Sequence, residues 1–204
     1  HRDFPDALFV HIIRDARDVA LSLDKRSWSR PLPWDRKKSL LAAGLYWEWI
    51  VRKGRQLGAK LAPRYMEVRY EDLVHRPQES LAAIGNFLQQ DLDYVRIQQA
   101  SIGSVKKPLT SFKEDLQEGR FTPVGRWKDK FPPDQLVEFE RLVGTYLQEL
   151  GYELSTDATK LNHNLSTKRL RAIYATYYPF KQWAKIHTPL SRWMVNYSEI
   201  LIDK

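Results

Sequence analysis

Cysteine is missing from all 204 residues, which excludes disulfides and thiolate metal sites and leaves the compartment open. No stretch of roughly 18 apolar residues occurs, so nothing here reads as a membrane-spanning helix. Internal repeats and low-complexity runs are absent too. The Gly-x4-Gly-Lys-Ser/Thr phosphate loop is also lacking. Its nearest approach, Gly54-Arg55-Gln56-Leu57-Gly58-Ala59-Lys60, has the wrong spacing and falls at a helix end rather than after a strand.

What is present is the composition of a globular protein, 43% apolar and 28% charged, with a length that suits one well-packed domain. Seven tryptophans and ten tyrosines favour stacking platforms or an amphipathic surface. The net charge of +8 points to an anionic partner: a phosphorylated cofactor, an acidic sugar, nucleic acid or a membrane surface. The excess is uneven. Ser155 to Lys204 carries eight Lys/Arg against three Asp/Glu.

The segment Ala7–Ser22 reads as a strand running into a helix. Ala7 to Ile13 is almost continuously apolar, the pattern of a parallel strand covered on both faces. Asp15 is an N-cap residue, and Val19, Ala20 and Leu23 share one helical face. Arg14 therefore falls at the carboxyl end of a strand, where open α/β sheets place ligands. A guanidinium there and the Ser22 hydroxyl on the helix suit a phosphate. Ion pairing of Arg14 with Asp15 or Asp18, with Ser22 merely solvated, is the alternative.

Ser27–Asp35, rich in proline and tryptophan, reads as a lid or as a packed connector. A helix is expected from Asp35, as N-cap, to about Gly58, with Leu40, Ala43, Trp47, Ile50 and Val51 as its apolar stripe. Arg64–Tyr70 alternates as a strand does, and Pro77 opens a helix that buries Leu81, Ile84, Phe87 and Leu88. A short helix at 93–100 precedes a stretch, 110–121, whose phase is open. Asp134–Leu150 is a helix with Leu136, Phe139, Val143, Tyr146, Leu147 and Leu150 inward, stopped by Gly151. The strand–helix–strand–helix rhythm is that of an α/β fold with a parallel sheet.

Residues 1–154 are expected to form one domain and 155–204 a basic, aromatic helical extension. That extension reads as helices near 167–178 and 180–197, broken at Pro179 and Pro189, lying on an anionic membrane or docking on the domain. Asn164-Leu165-Ser166 and Asn196-Tyr197-Ser198 fit glycosylation sequons. The opening on His1, six residues before the first strand, reads as the start of a fragment or processed chain.

Ile13–Ser22, Val68–Leu73 and Arg120–Lys128, in this order and spacing, resemble the sulfotransferases that use 3′-phosphoadenosine 5′-phosphosulfate (PAPS). Arg14 and Ser22, eight positions apart in Ile13–Ser22, are similar to the family's 3′-phosphate motif. Val68-Arg69-Tyr70-Glu71-Asp72-Leu73 is similar to the segment whose tyrosine lies against adenine, which implies that role for Tyr70. Arg120, followed by Gly125-Arg126-Trp127-Lys128, matches the spacing of the Arg-Lys-Gly loop ahead of Gly-x-Trp-Lys. Phe121-Thr122 stands where the family has Lys-Gly, and Arg126 is the candidate replacement charge. Ser101 is a weaker match to a further nucleotide-contacting loop.

The resemblance spans about Phe4 to Leu154 and implies a P-loop NTPase-like three-layer α/β fold with a parallel sheet. It implies sulfuryl transfer from PAPS to a hydroxyl or amine, with 3′,5′-phosphoadenosine (PAP) as product and no metal. The expected nucleotide-site residues are Arg14, Ser22, Tyr70, Arg120, Arg126 and Lys128, with the catalytic residues unassigned. The family's 5′-phosphosulfate loop and its strand and helix have no counterpart here, and His1 and His11 are poor substitutes for the catalytic base. The chain is therefore expected to be the C-terminal part of the enzyme, inactive alone. The acceptor, whether carbohydrate, lipid, protein or small molecule, is open; nucleic acid is not expected, and membrane contact would come through 155–204. A cytoplasmic location is expected, or a secretory lumen if a signal anchor lies upstream. Two other readings stand beside this one: a P-loop-type nucleotide kinase, and a non-catalytic membrane-surface or binding module.

Overall fold

The computed structural model describes residues 5–26, 31–100, 122–157, 159, 161 and 165–188. The chain divides into two compact units, His1–Asn162 and His163–Lys204. Arg120, Ser101, the undecided stretch 110–121 and the sequon residues Asn164, Asn196 and Ser198 lie outside the described residues.

The first unit is a mixed helix and strand structure around a two-stranded parallel sheet. Strand β1 (Phe9–Ile13) pairs with β2 (Tyr65–Arg69) in the register Phe9↔Tyr65 to Ile13↔Arg69. Between them run α1 (Ala16–Lys25), a 3-10 turn (Pro33–Lys38) and α2 (Ser39–Ala59). After β2 come α3 (Tyr70–His75), α4 (Pro77–Leu88), α5 (Tyr94–Ala100), α6 (Trp127–Lys130) and α7 (Pro133–Glu149). The described part of the second unit contains one long helix, α8 (Leu165–His187).

The core forms where α2 meets α1 and α7. Leu41, Ala42, Ala43 and Trp47 of α2 are buried, as are Phe139, Val143, Tyr146 and Leu147 of α7. The Trp47 and Tyr146 rings meet at 5.6 Å, and Phe131 meets Phe139 edge-on at 5.0 Å. Gly44 lets the two helices approach: a Cβ there would sit 2.4 Å from Phe139 Cε2. Phe139 is fully buried and cannot swing aside. Gly44→Ala is accordingly expected to lose about 1–3 kcal/mol through overpacking, against a helix-propensity gain of at most about 1 kcal/mol. Thermal unfolding checks this, and an unchanged or raised Tm contradicts it.

Several expectations change. The β1 run is not covered on both faces: Leu8 and Phe9 are exposed and Ile12 is 52% exposed. Among the described residues the sheet stops at two strands, so these side chains lack the second cover that a central parallel strand has. Asp35 does not cap α2. It is buried within the 3-10 turn, and α2 starts at Ser39 without a side-chain cap. Ile50 leaves the buried stripe and is exposed. Pro179 does not break the tail helix, because α8 runs through it. Proline removes the N–H that would bind the Ala175 carbonyl; Ala175 and Pro179 both face water, which can solvate that oxygen. Gly151 does end α7, at φ +78°, a conformation suited to glycine.

Candidate functional site

Parallel register builds the site. Ile13 pairs with Arg69, so the next residues, Arg14 and Tyr70, leave the sheet side by side at its carboxyl edge. The Arg14 guanidinium lies over the Tyr70 ring, 4.7 Å from its centroid. The Arg14 carbonyl accepts a hydrogen bond from Trp47 Nε1 at 3.0 Å, which ties this corner to the core helix α2. Glu71, the next residue, accepts from the Asp15 backbone N–H at 2.9 Å and from the Tyr152 hydroxyl at 2.8 Å.

A loop far along the chain closes on this corner. Arg14 Nη2 donates to the Pro123 carbonyl at 2.6 Å. Asp18 on α1 accepts from the backbone N–H of Gly125 at 2.8 Å and of Trp127 at 2.9 Å. It thereby satisfies an N–H at the start of α6 that no intrahelical carbonyl can reach. Gly125 adopts φ +74°, which makes it the natural residue for this turn. The three segments singled out in the sequence thus meet at Arg14, Tyr70 and Gly125–Trp127.

Arg14 also stands 3.6 Å from Asp18, so the ion pair weighed as an alternative does form. It is not the whole account of Arg14. Both Asp18 oxygens already accept backbone N–H groups at shorter distances. Arg14 Nε is buried and has no hydrogen-bond partner among the described residues. An orphaned guanidinium N–H at a strand end is a donor suited to an anion.

The other expected residues are placed as follows. Ser22 is half-buried on α1, one helical turn beyond Asp18 and on the same face. Arg126 is buried, and its Nε and Nη2 donate to the Thr122 carbonyl at 3.3 and 3.2 Å, bracing the loop. Lys128 is exposed beside Trp127, its Nζ 5.9 Å from that ring. It faces a cleft of about 540 Å³ also lined by Asp15, Arg69, Gly125 and Tyr152. His11 lies mid-strand, its Nδ1 2.6 Å from the Tyr65 hydroxyl, and burial holds its pKa below the usual value despite Glu67.

Sequence reasoning missed the scaffold beneath the corner. Arg17, Asp15 and Glu140 form a buried ionic cluster. Arg17 donates to both Asp15 oxygens, at 2.7 and 3.0 Å in the shortest contacts, and to Glu140 Oε1 at 2.7 Å. Its guanidinium stacks 3.6 Å over the Trp127 ring. Burial would lower the Arg17 pKa, but Asp15 and Glu140 more than offset that and raise it, so the charge stays. Glu140 also accepts from Ser155 N and Oγ, both at 3.1 Å, and from Thr156 N at 2.7 Å. The signal for Asp15 was its N-cap position, which is realised at 2.8 Å to Arg17 N. Glu140 gave none: a lone glutamate within an apolar helical pattern reads as solvated. Arg69 was quoted only as a neighbour of Tyr70; its guanidinium lies 4.4 Å over the Tyr152 ring, and its Nε is buried with no hydrogen-bond partner among the described residues.

Residues 1–94 match the model of the sulfotransferase family. The match contains Arg14, Ser22 and Tyr70 and ends before the loop that carries Arg126 and Lys128. Among curated proteins and solved structures nothing matches the chain.

Proposed function

Taking the sulfotransferase-family match of residues 1–94 as the premise, we propose that the Arg14–Tyr70 corner binds the 3′-phosphate and adenine of PAPS. The observation that carries this reading is the pairing itself: a guanidinium whose buried Nε has no hydrogen-bond partner among the described residues, set 4.7 Å over a tyrosine ring where two parallel strands end. The site offers one cationic fork and one aromatic face, the two chemistries that a 3′-phosphorylated adenosine needs. In this reading the two-stranded sheet and its helices are part of a P-loop NTPase-like three-layer fold, whose ligands sit at the carboxyl ends of the strands.

Arg14 and Ser22 then hold the 3′-phosphate, and Tyr70 lies against the base. Asp18 and Arg126 keep the 122–127 loop closed on Arg14, and Lys128 adds positive charge at the rim. Arg120 is assigned to the same phosphate by the motif resemblance. The bound nucleotide supplies the sulfuryl group, for an acceptor hydroxyl or amine. None of these residues touches the reacting atoms; their binding energy fixes the donor remotely, which is how contacts away from the chemistry contribute to rate.

The proposal predicts that the protein distinguishes PAP from adenosine 5′-monophosphate, which lacks only the 3′-phosphate. Calorimetric titration should give PAP an affinity at least about tenfold higher, the value of one charge-assisted phosphate contact. Equal affinities would contradict it.

A further inference from the structure

Helix α8 carries its own surface chemistry. Its sequence from Leu165 to His187 holds five Lys/Arg and no acidic residue, and the acid-free stretch extends from Asp157 to Glu199. One side of the helix is a buried stripe at four-residue steps, Leu170, Tyr174 and Tyr178. At 100° per residue, Phe180, Trp183 and Ile186 point the opposite way. They are 64%, 53% and 67% exposed.

These side chains are ordered against one another. Phe180 stacks on Trp183 at 6.1 Å and 26°, and Trp183 stacks on His187 at 5.4 Å and 20°. The result is an aromatic ladder held at the surface in water. Lys168 and Arg169 are exposed on the flanks of the same face, and Lys185 is exposed behind it. Among the described residues no helix is long and apolar enough to cross a membrane.

We propose that this face of α8 lies on the surface of an anionic lipid bilayer, with Phe180, Trp183 and Ile186 in the interface and Lys168 and Arg169 on the headgroups. Charge complementarity selects this occupant. A soluble polyanion would use the cations but leave three large apolar side chains in water. A neutral protein groove would take the apolar trio but would gain nothing from a helix without acidic residues. An anionic bilayer uses both, since interfacial binding combines apolar burial with attraction to anionic lipid.

The test is cosedimentation of the full chain with phosphatidylcholine vesicles, with and without phosphatidylserine. Binding is expected on the phosphatidylserine vesicles, weakening as salt rises. The Phe180→Ser/Trp183→Ser variant is expected to bind about tenfold or more weakly, since each lost ring forfeits interfacial burial. Lys168→Gln/Arg169→Gln is expected to lose the preference for phosphatidylserine. Because all four positions are exposed, far-UV circular dichroism should match the parent. A parent that does not bind phosphatidylserine vesicles overturns the proposal whatever the variants do. So does a serine variant that binds as well as the parent, or a dimer of the parent that the serine variant abolishes without any vesicle binding. Binding of soluble heparin that competes fully with vesicles and is unaffected by the serine substitutions also overturns it, in favour of a polyanion site.

Discussion

Glu140→Ala is expected to cost about 3–5 kcal/mol of stability, the range for removing one partner of a buried ionic pair. The Glu140 carboxylate is almost fully buried and receives Arg17 at 2.7 Å, Ser155 at 3.1 Å and Thr156 at 2.7 Å. Asp15 would still neutralise Arg17, which pulls the loss toward the low end. The Ser155 and Thr156 N–H groups lose this acceptor too, but Ser155 is exposed and Thr156 half-buried, so water can take its place and the loss stays near the low end. Urea denaturation measures the total, and a change under about 1 kcal/mol would mean that the cluster is not structural.

The same carboxylate sets a pH dependence. Burial alone would raise its pKa, but hydrogen bonds from Thr156 and Ser155 and the Arg17 guanidinium outweigh that, and the net shift is downward from 4.5. A group with a depressed folded-state pKa adds stability that is complete above its unfolded value and is lost as pH falls through the folded one. The gap between parent and Glu140→Gln should therefore be widest above pH 4.5 and narrow as the solution is acidified below it. A gap that widens toward acid would contradict the assignment.

Arg14→Ala is the second large effect, and it falls on binding. Loss of the guanidinium is expected to weaken PAP by tenfold or more, about 1.5–3 kcal/mol for a charge-assisted pair. Arg14→Lys should recover only part of it, because an ammonium offers a point charge where the site holds a planar fork over a tyrosine ring. The substitution also removes the 2.6 Å bond to Pro123, but the loop keeps both of its hydrogen bonds to Asp18. Stability should therefore fall much less than it does for Glu140→Ala. A lysine variant that binds PAP as tightly as the parent would mean that the fork geometry is unused.

The corner was legible because each half of it follows a strand. An apolar run ending at Ile13 and an alternating run read as far as Tyr70 put two strand ends at these residues; β2 itself stops at Arg69, and its parallel pairing with Ile13 brings Arg14 and Tyr70 together. The Gly125–Lys128 motif was legible as a motif but not as a neighbour. It reaches the site through Asp18, which the sequence offered only as an ion-pair partner for Arg14, a local reading that says nothing of backbone N–H groups 107 and 109 residues away. The covering of β1 and the start of α2 were less readable, for separate reasons. Apolar strand composition reports how many faces could be covered, not how many are, so Ile12 was misread as buried. Asp35 has the chemistry of a cap, but Pro33 two residues earlier fixes the backbone in a 3-10 turn first. Pro179 misled in the other direction, since a proline whose freed carbonyl faces water can stay inside a helix.

The most direct test of the central claim is a binding cycle: PAP and adenosine 5′-monophosphate, each titrated into the parent and into Arg14→Ala. If Arg14 serves the 3′-phosphate, PAP loses tenfold or more and the monophosphate loses nothing, so the coupling between residue and phosphate is about 1.4 kcal/mol or greater. Equal losses for the two nucleotides would show that Arg14 does not meet the 3′-phosphate, and the proposed donor site would fall with it.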